Sequence, residues 1–148
     1  MSTVYQLLYL SKATTPTTQQ ALEQVVAREA QRNQPLGLTG ILIHSHGFFV
    51  ELLEGEQTAV RTTYNSIATD ARHRNLHILH ASGGAKAPLF AGQGMSLLNL
   101  DTAGEATRQT LSLLCQDLNQ SPNGRKVLSA LRDFRSQSAA TSRPRKAA

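Results

Sequence analysis

Tryptophan is absent from this chain, cysteine occurs once, and aromatic residues make up only 5% of its 148 positions. A lone thiol cannot close an internal disulfide, so Cys115, in a helical pattern with Leu111, Leu114 and Leu118, reads as a small core hydrophobe. No apolar run approaches the roughly 18 to 20 residues of a membrane-crossing helix. Met-Ser-Thr-Val-Tyr leads straight into a strand-like run, without the basic and apolar regions of a signal peptide. A cytoplasmic location without a membrane partner is therefore expected. A metal site lacks its ligand set: His44 and His46 lie two apart and His77 and His80 three apart, but no cysteine or carboxylate completes either pair. No nucleophile constellation or phosphate-binding loop is present, which points away from an enzyme.

Acids are scarce at one end. From Arg125 onward seven Lys or Arg accompany a single acid, Asp133, whereas the first 124 residues hold eight bases and nine acids. The net charge of +5 thus belongs to the last helix and tail. A nucleic-acid surface is not expected, and residues 137–148 read as a disordered, solubilising basic tail.

What is there fits one domain with a real core. Val4 to Leu10 alternates as a strand, with Tyr5, Leu7 and Tyr9 on one face. Thr-Thr-Pro-Thr-Thr offers N-caps for a helix from about Gln19 to Asn33, carrying Leu22, Val25, Val26 and Ala30 and stopped by Pro35. Ile41 to His44 and Phe48 to Leu53 are joined by Ser45-His46-Gly47, the short connection of an antiparallel hairpin. Val60, Tyr64, Ile67 and Ala68 mark a second helix with Thr58 as its cap, followed by strands over Leu76 to Ala81 and Gly94 to Leu98. Leu111, Leu114 and Leu118, then Val127, Leu128, Leu131 and Phe134 beyond Asn123-Gly124, mark a helical hairpin.

The expected fold is α+β, a ferredoxin-like βαββαββ antiparallel sheet with two helices on one face and the C-terminal helical hairpin on the other. In domain terms this is a core over residues 1–100, a helical cap over 101–136 and the tail.

The stretch from Gly47 to Glu56 is the centre of the pattern. Phe49, Glu51 and Leu53 share one strand face, and Phe48, Val50 and Leu52 the other, so both faces are apolar apart from Glu51. Such a strand is covered on both sides, and Glu51 must point into an interior that seldom accepts an unpaired carboxylate. Strand one could set the Tyr9 hydroxyl beside it.

Four segments then combine: Leu7-Leu8-Tyr9-Leu10-Ser11, Arg32-Asn33 followed by Gly37-Leu38-Thr39-Gly40, Phe49 to Glu56, and Asp70-Ala71-Arg72-His73-Arg74-Asn75. In this order and spacing they resemble the BLUF family of blue-light sensors that use FAD, over about residues 3 to 98. The resemblance implies a flavin ring slotted between the two helices, with its edge toward the sheet. It makes Tyr9 the photoactive tyrosine and Asn33 the amide at the flavin's carbonyl edge. Val25 and Ile67 become the apolar walls, Asp70, Arg72 and His73 the polar cluster at the end of helix two, and Met95 the methionine on the fifth strand. Asn33 would otherwise be a plain helix C-cap.

Glu51 stands where the family has a glutamine that reads light through its hydrogen bonds. Glutamine both donates and accepts, whereas an ionised glutamate only accepts, and the oxidised flavin presents acceptors at its N5 and O4 edge. Burial raises a carboxyl's pKa, and a neutral Glu51 would keep one donor and one acceptor. The implied function is a short, stand-alone photoreceptor that binds FAD and signals to a downstream protein by contact, within a homo-oligomer. The alternative is a flavin-free or light-insensitive BLUF-like interaction module.

Overall fold

A computed structural model describes residues 3–133 apart from 15, 16, 72, 86, 93, 103, 121, 123, 127, 130 and 131, with backbone alone at 73, 106–108, 110, 111, 114 and 117. Five strands form one sheet: β1 (Val4–Ala13), β2 (Thr39–Ser45), β3 (Phe48–Gly55), β4 (His73–Ala85) and β5 (Ser96–Asn99), in the order β4-β1-β3-β2-β5. Helix α1 (Gln19–Asn33) follows β1, α2 (Gln57–Ala68) follows β3, and α3 (Glu105–Leu118) follows β5. The first four strands pair antiparallel, while β5 lies parallel to β2, with Leu42 opposite Leu97. The sheet is therefore mixed rather than antiparallel throughout. The cause is topological: β5 is reached by a long loop that carries the chain from one sheet edge to the other.

Alternation sorts side chains into two cores. Tyr5, Leu7, Tyr9, Phe49 and Leu53 join Leu22 of α1 and Val60 and Ile67 of α2 on one face. Leu8, Ile43, Val50 and Leu52 join Leu118 and Leu128 on the other, with Cys115 half-buried against them. The third strand is thus covered on both sides, as its sequence demands. Each fully buried Leu or Val here contributes about 1.5–3 kcal/mol of burial. Helical residues recur between 122 and 133, while Val127, Leu131, Phe134 and the 137–148 tail lie outside the described residues.

Local signals set the element ends. Thr18 caps α1, its hydroxyl accepting from Ala21 N at 3.1 Å. The cap of α2 is Glu56 rather than Thr58: its carboxylate reaches two free amides, Thr58 N at 3.1 Å and Ala59 N at 3.0 Å. Those bonds hold its pKa below the usual glutamate value. Pro35 does not end α1 outright but enters a 3-10 turn, Gln34–Leu36, closed by Gly37 at φ 68°. Asn33 is accordingly the last helical residue and not the C-cap.

Strand β4 starts at His73, earlier than the apolar run at Leu76, because Lys12 and Ala13 extend β1 and pair with Arg74 and His73. Asn75, at φ 56°, absorbs a register shift there. Strand β5 begins at Ser96, two residues after Gly94.

Candidate functional site

Helix α1 rests on β2 and β5, and α2 on β1, β3 and β4, so the central strand β3 runs beneath the seam between them. Register places Tyr9 directly opposite Glu51. Both side chains are fully buried, and the Tyr9 hydroxyl donates to Glu51 Oε2. The ring of Tyr64, from α2, meets Tyr9 edge-on at 5.1 Å.

Asn33 is also fully buried. Its Nδ2 donates to Gly94 O at 2.9 Å, and its Oδ1 meets no partner among the described residues. This approach depends on glycine: a Cβ at Gly94 would lie 3.0 Å from Ala30 O on α1. Met95, next in the chain, is buried on the same face, and its Cε would stand 3.3 Å from a Cβ at Gly40. Ile67 is buried and Val25 half-buried in this core. Tyr9, Val25, Asn33, Glu51, Ile67 and Met95 thus share one face of the sheet. Asp70 lies half-buried just past α2, its amide bonded to Ile67 O. Arg72 lies outside the described residues, and of His73 only the backbone, which opens β4, is described.

Two residues escaped the sequence reading. Glu29, 5% exposed, lies close enough to Glu51 for its charge to disfavour ionisation of that carboxyl. Arg32 stands close enough to favour the charged forms of both Tyr9 and Glu51. Its Nε and Nη2 are buried and find no acceptor among the described residues. The signal was available: Leu22, Val26, Glu29 and Asn33 follow the spacing of one helix face, so Glu29 occupies an apolar-face position.

Burial pushes the Glu51 carboxyl well above the usual carboxylate range; the charge of Glu29 adds to this, against the Tyr9 bond and Arg32. Burial likewise drives the Tyr9 phenol up, reinforced by Glu51 and Glu29. Both shifts favour the protonated forms of Glu51 and Tyr9.

Unspent valences suit a flat polar ligand. Asn33 Oδ1 can accept from a ring N–H, the Arg32 donors can meet ring carbonyls, and a protonated Glu51 can donate to an acceptor edge. The residues present therefore fit a flavin, on the condition that Glu51 carries a proton.

The histidines make local contacts instead. His44 Nδ1 lies 3.1 Å from Asn99 Oδ1, and His80 Nε2 3.1 Å from Ser82 Oγ. Among the described residues no group of three or more His, Cys, Asp or Glu is placed to hold a metal. No helix among them is long and apolar enough to cross a membrane.

Fold and site together define a ferredoxin-like α+β domain with a buried polar cluster under two helices. Residues 4–96 match the family described as BLUF, sensors of blue-light using FAD, and the chain belongs to it. BLUF domains bind flavin, and the domain is a sensor rather than a catalyst.

Among its relatives is the photoactivated adenylate cyclase subunit beta of Euglena gracilis, 35% identical over 79 residues, covering 53% of this chain and 9% of that protein. Another is the blue light- and temperature-regulated antirepressor BluF of Escherichia coli (strain K12), 33% identical over 94 residues, covering 64% and 23%. The solved BLUF domain of Klebsiella pneumoniae BlrP1 superposes with a TM-score of 0.73 at 25% identity, over 97% of this chain and 95% of that one. The chain thus spans less than a quarter of the curated relatives named here.

Proposed function

We propose that this chain is a blue-light receptor that holds FAD between α1 and α2 and passes its state to another protein by contact. The observation that carries this reading is the buried constellation on one sheet face: Tyr9 donating to Glu51, with Asn33 Oδ1 and the Arg32 Nε and Nη2 unspent beside them. In the bound state Val25 and Ile67 wall the ring, while Asn33 and Arg32 fix its carbonyl edge. The bound flavin supplies absorption of blue light. Tyr9 and Glu51 are the switch, Glu51 presenting its acid O–H to the flavin edge while accepting from Tyr9, and Met95 packs beside them. Asp70, Arg72 and His73 serve the polar end of the slot after α2.

Residues 1–100 are the sensing core, the 101–136 segment is the cap through which the signal leaves, and 137–148 is a basic tail. A cytoplasmic homo-oligomer that engages one downstream protein is the form in which we place it.

A second reading, a flavin-free interaction module, draws on one observation: Glu51 itself. An ionised carboxylate there would repel the acceptor edge of the ring.

The visible spectrum of the purified protein after incubation with FAD separates the two. Bound flavin absorbance is expected, and its absence would remove the receptor reading. Under illumination the small red shift typical of the family is expected in Glu51→Gln and not in the wild type. An equal shift in both would show that glutamine chemistry is not needed at this position.

A further inference from the structure

Two buried oxygens of the site are left over once its own hydrogen bonds are made. The Tyr9 hydroxyl occupies Glu51 Oε2, while Oε1 meets no partner among the described residues. Asn33 spends its Nδ2 on Gly94 O at 2.9 Å, and its Oδ1 remains. Both side chains are fully buried, on one face of the sheet. The two oxygens differ in kind: the amide oxygen only accepts, whereas the carboxyl oxygen accepts when ionised and donates when protonated.

An oxidised flavin has a single ring N–H, at N3, followed along the same edge by the acceptors O4 and N5. Asn33 Oδ1 can take only N3–H, which leaves the N5 side to Glu51. That side accepts, so Oε1 must carry a proton. Two-electron reduction turns N5 into an N–H, and against that donor an ionised Oε1 is the matching partner. Glu51 can follow the change by giving up one proton, with Tyr9 still donating to Oε2. A glutamine cannot follow it, because the amide N–H that suits oxidised N5 would then face another N–H.

The surroundings of Glu51 can be named element by element. Strand β1 supplies Tyr9, opposite which β4 places the uncharged Ile78, and β2 places Leu42 opposite Glu51 itself. Helix α2 brings the ring of Tyr64 against Tyr9. Helix α1 brings Glu29, whose charge disfavours ionisation of Glu51, and Arg32, which favours it. Burial holds the proton on Glu51 while the ring accepts, and the unspent Arg32 donors offer a counter-charge once it leaves.

We propose that Glu51 is the proton donor to N5 when the bound flavin is reduced, which makes this chain a sensor of flavin redox state in the dark. The inference rests on the FAD-binding reading above and goes beyond it. The two electrons come from an outer-sphere donor of the iron–sulfur or viologen class. The Oε1–H bond breaks and N5–H forms, giving the dihydroflavin anion and a Glu51 carboxylate that accepts from N5–H at Oε1 and from Tyr9 at Oε2. No proton has to enter from solvent for that bond. The charge of β3 beneath the helix seam then reports whether the ring is reduced.

Two measurements on the FAD-loaded protein test this. The first is an anaerobic reductive titration against redox dyes across pH. Glu51→Gln must draw from solvent the proton that the wild type draws from Glu51. Its midpoint potential should therefore fall more steeply with pH, by a further tenfold change in equilibrium constant per pH unit, or about 30 mV for a two-electron couple. Equal slopes would overturn the proposal while leaving FAD binding intact. The second uses the wild type alone: infrared difference spectra with 13C-glutamate labelling should show a protonated-acid carbonyl band in the oxidised state that is lost on reduction. A band that persists, or one absent from the oxidised state, would overturn the proposal even if the variant does not fold. If FAD binds in neither redox state, the receptor reading fails and this role of Glu51 falls with it.

Discussion

Two glutamates three residues apart on β3 are both fully buried, yet they live in opposite circumstances. Glu54 faces the α3 side of the sheet, where it accepts from Gln6 Nε2 at 2.8 Å, Thr39 Oγ1 at 3.4 Å, and the amides of Leu89 and Phe90 at 2.7 and 2.9 Å. Glu51 faces the α1 side and accepts from Tyr9, while among the described residues its Oε1 meets no partner. Glu54 is a fastening: it pins the β4–β5 loop, whose far end carries Gly94 and Met95 to the site. Glu51 is left wanting a donor or a proton. A buried carboxyl surrounded by donors serves the fold, whereas one kept short of them is available for a ligand.

Removing the fastening should have the largest effect. Glu54→Ala leaves the half-buried amides of Leu89 and Phe90 and the buried Gln6 amide without this acceptor, and should cost about 3 kcal/mol in urea unfolding. Hydrogen exchange should quicken at Leu89 and Phe90. A stability change close to zero would mean that water or another acceptor replaces the carboxylate, and the contrast with Glu51 would collapse.

Glu51→Gln should act through pH and in the opposite sense. A carboxyl whose folded pKa is raised keeps its proton in the folded chain after the unfolded chain has lost it. Stability therefore falls as pH climbs from the ordinary carboxylate range toward the raised value, by at most about 1.4 kcal/mol per pH unit. The glutamine variant should lose that slope and be the more stable protein at neutral pH, as read from denaturation midpoints across pH. A wild type whose stability is already flat over this range would place Glu51 in the same class as Glu54.

The smallest effect sharpens the comparison from outside it. Thr18→Ala removes the cap of α1, the helix that carries Glu29, Arg32 and Asn33, and should cost about 1 kcal/mol while leaving the pH slope of the wild type intact. A changed slope would show that the protonation of Glu51 depends on how firmly α1 is seated.

Much of this was legible beforehand. The period-two runs of β1 and β3 specify which residues share a face, and the two-sided apolar pattern of Phe48 to Leu53 requires helices above and below. Tyr9 opposite Glu51 could be suggested because both alternate onto the same face. Element ends were harder. Glu56 displaced Thr58 as the cap because a longer side chain one position outside the helix reaches two amides. His73 and Arg74 joined β4 because β1 offered partners, which no local propensity reveals. Glu29 passed unnoticed because one acidic residue on a helix wheel looks like a solvated position until a second carboxyl stands across from it.

The sequence by itself determined the strand and helix order, the two core faces, the family and the presence of an acid where an acid is unwelcome, since these follow from periodicity and residue type along the chain. Tertiary structure alone decided that β5 runs parallel to β2, that Glu54 is fastened by four donors, and that Glu51 lies near Glu29 and Arg32. Those are encounters between side chains far apart in sequence, and a carboxyl's charge is set by its neighbours in space.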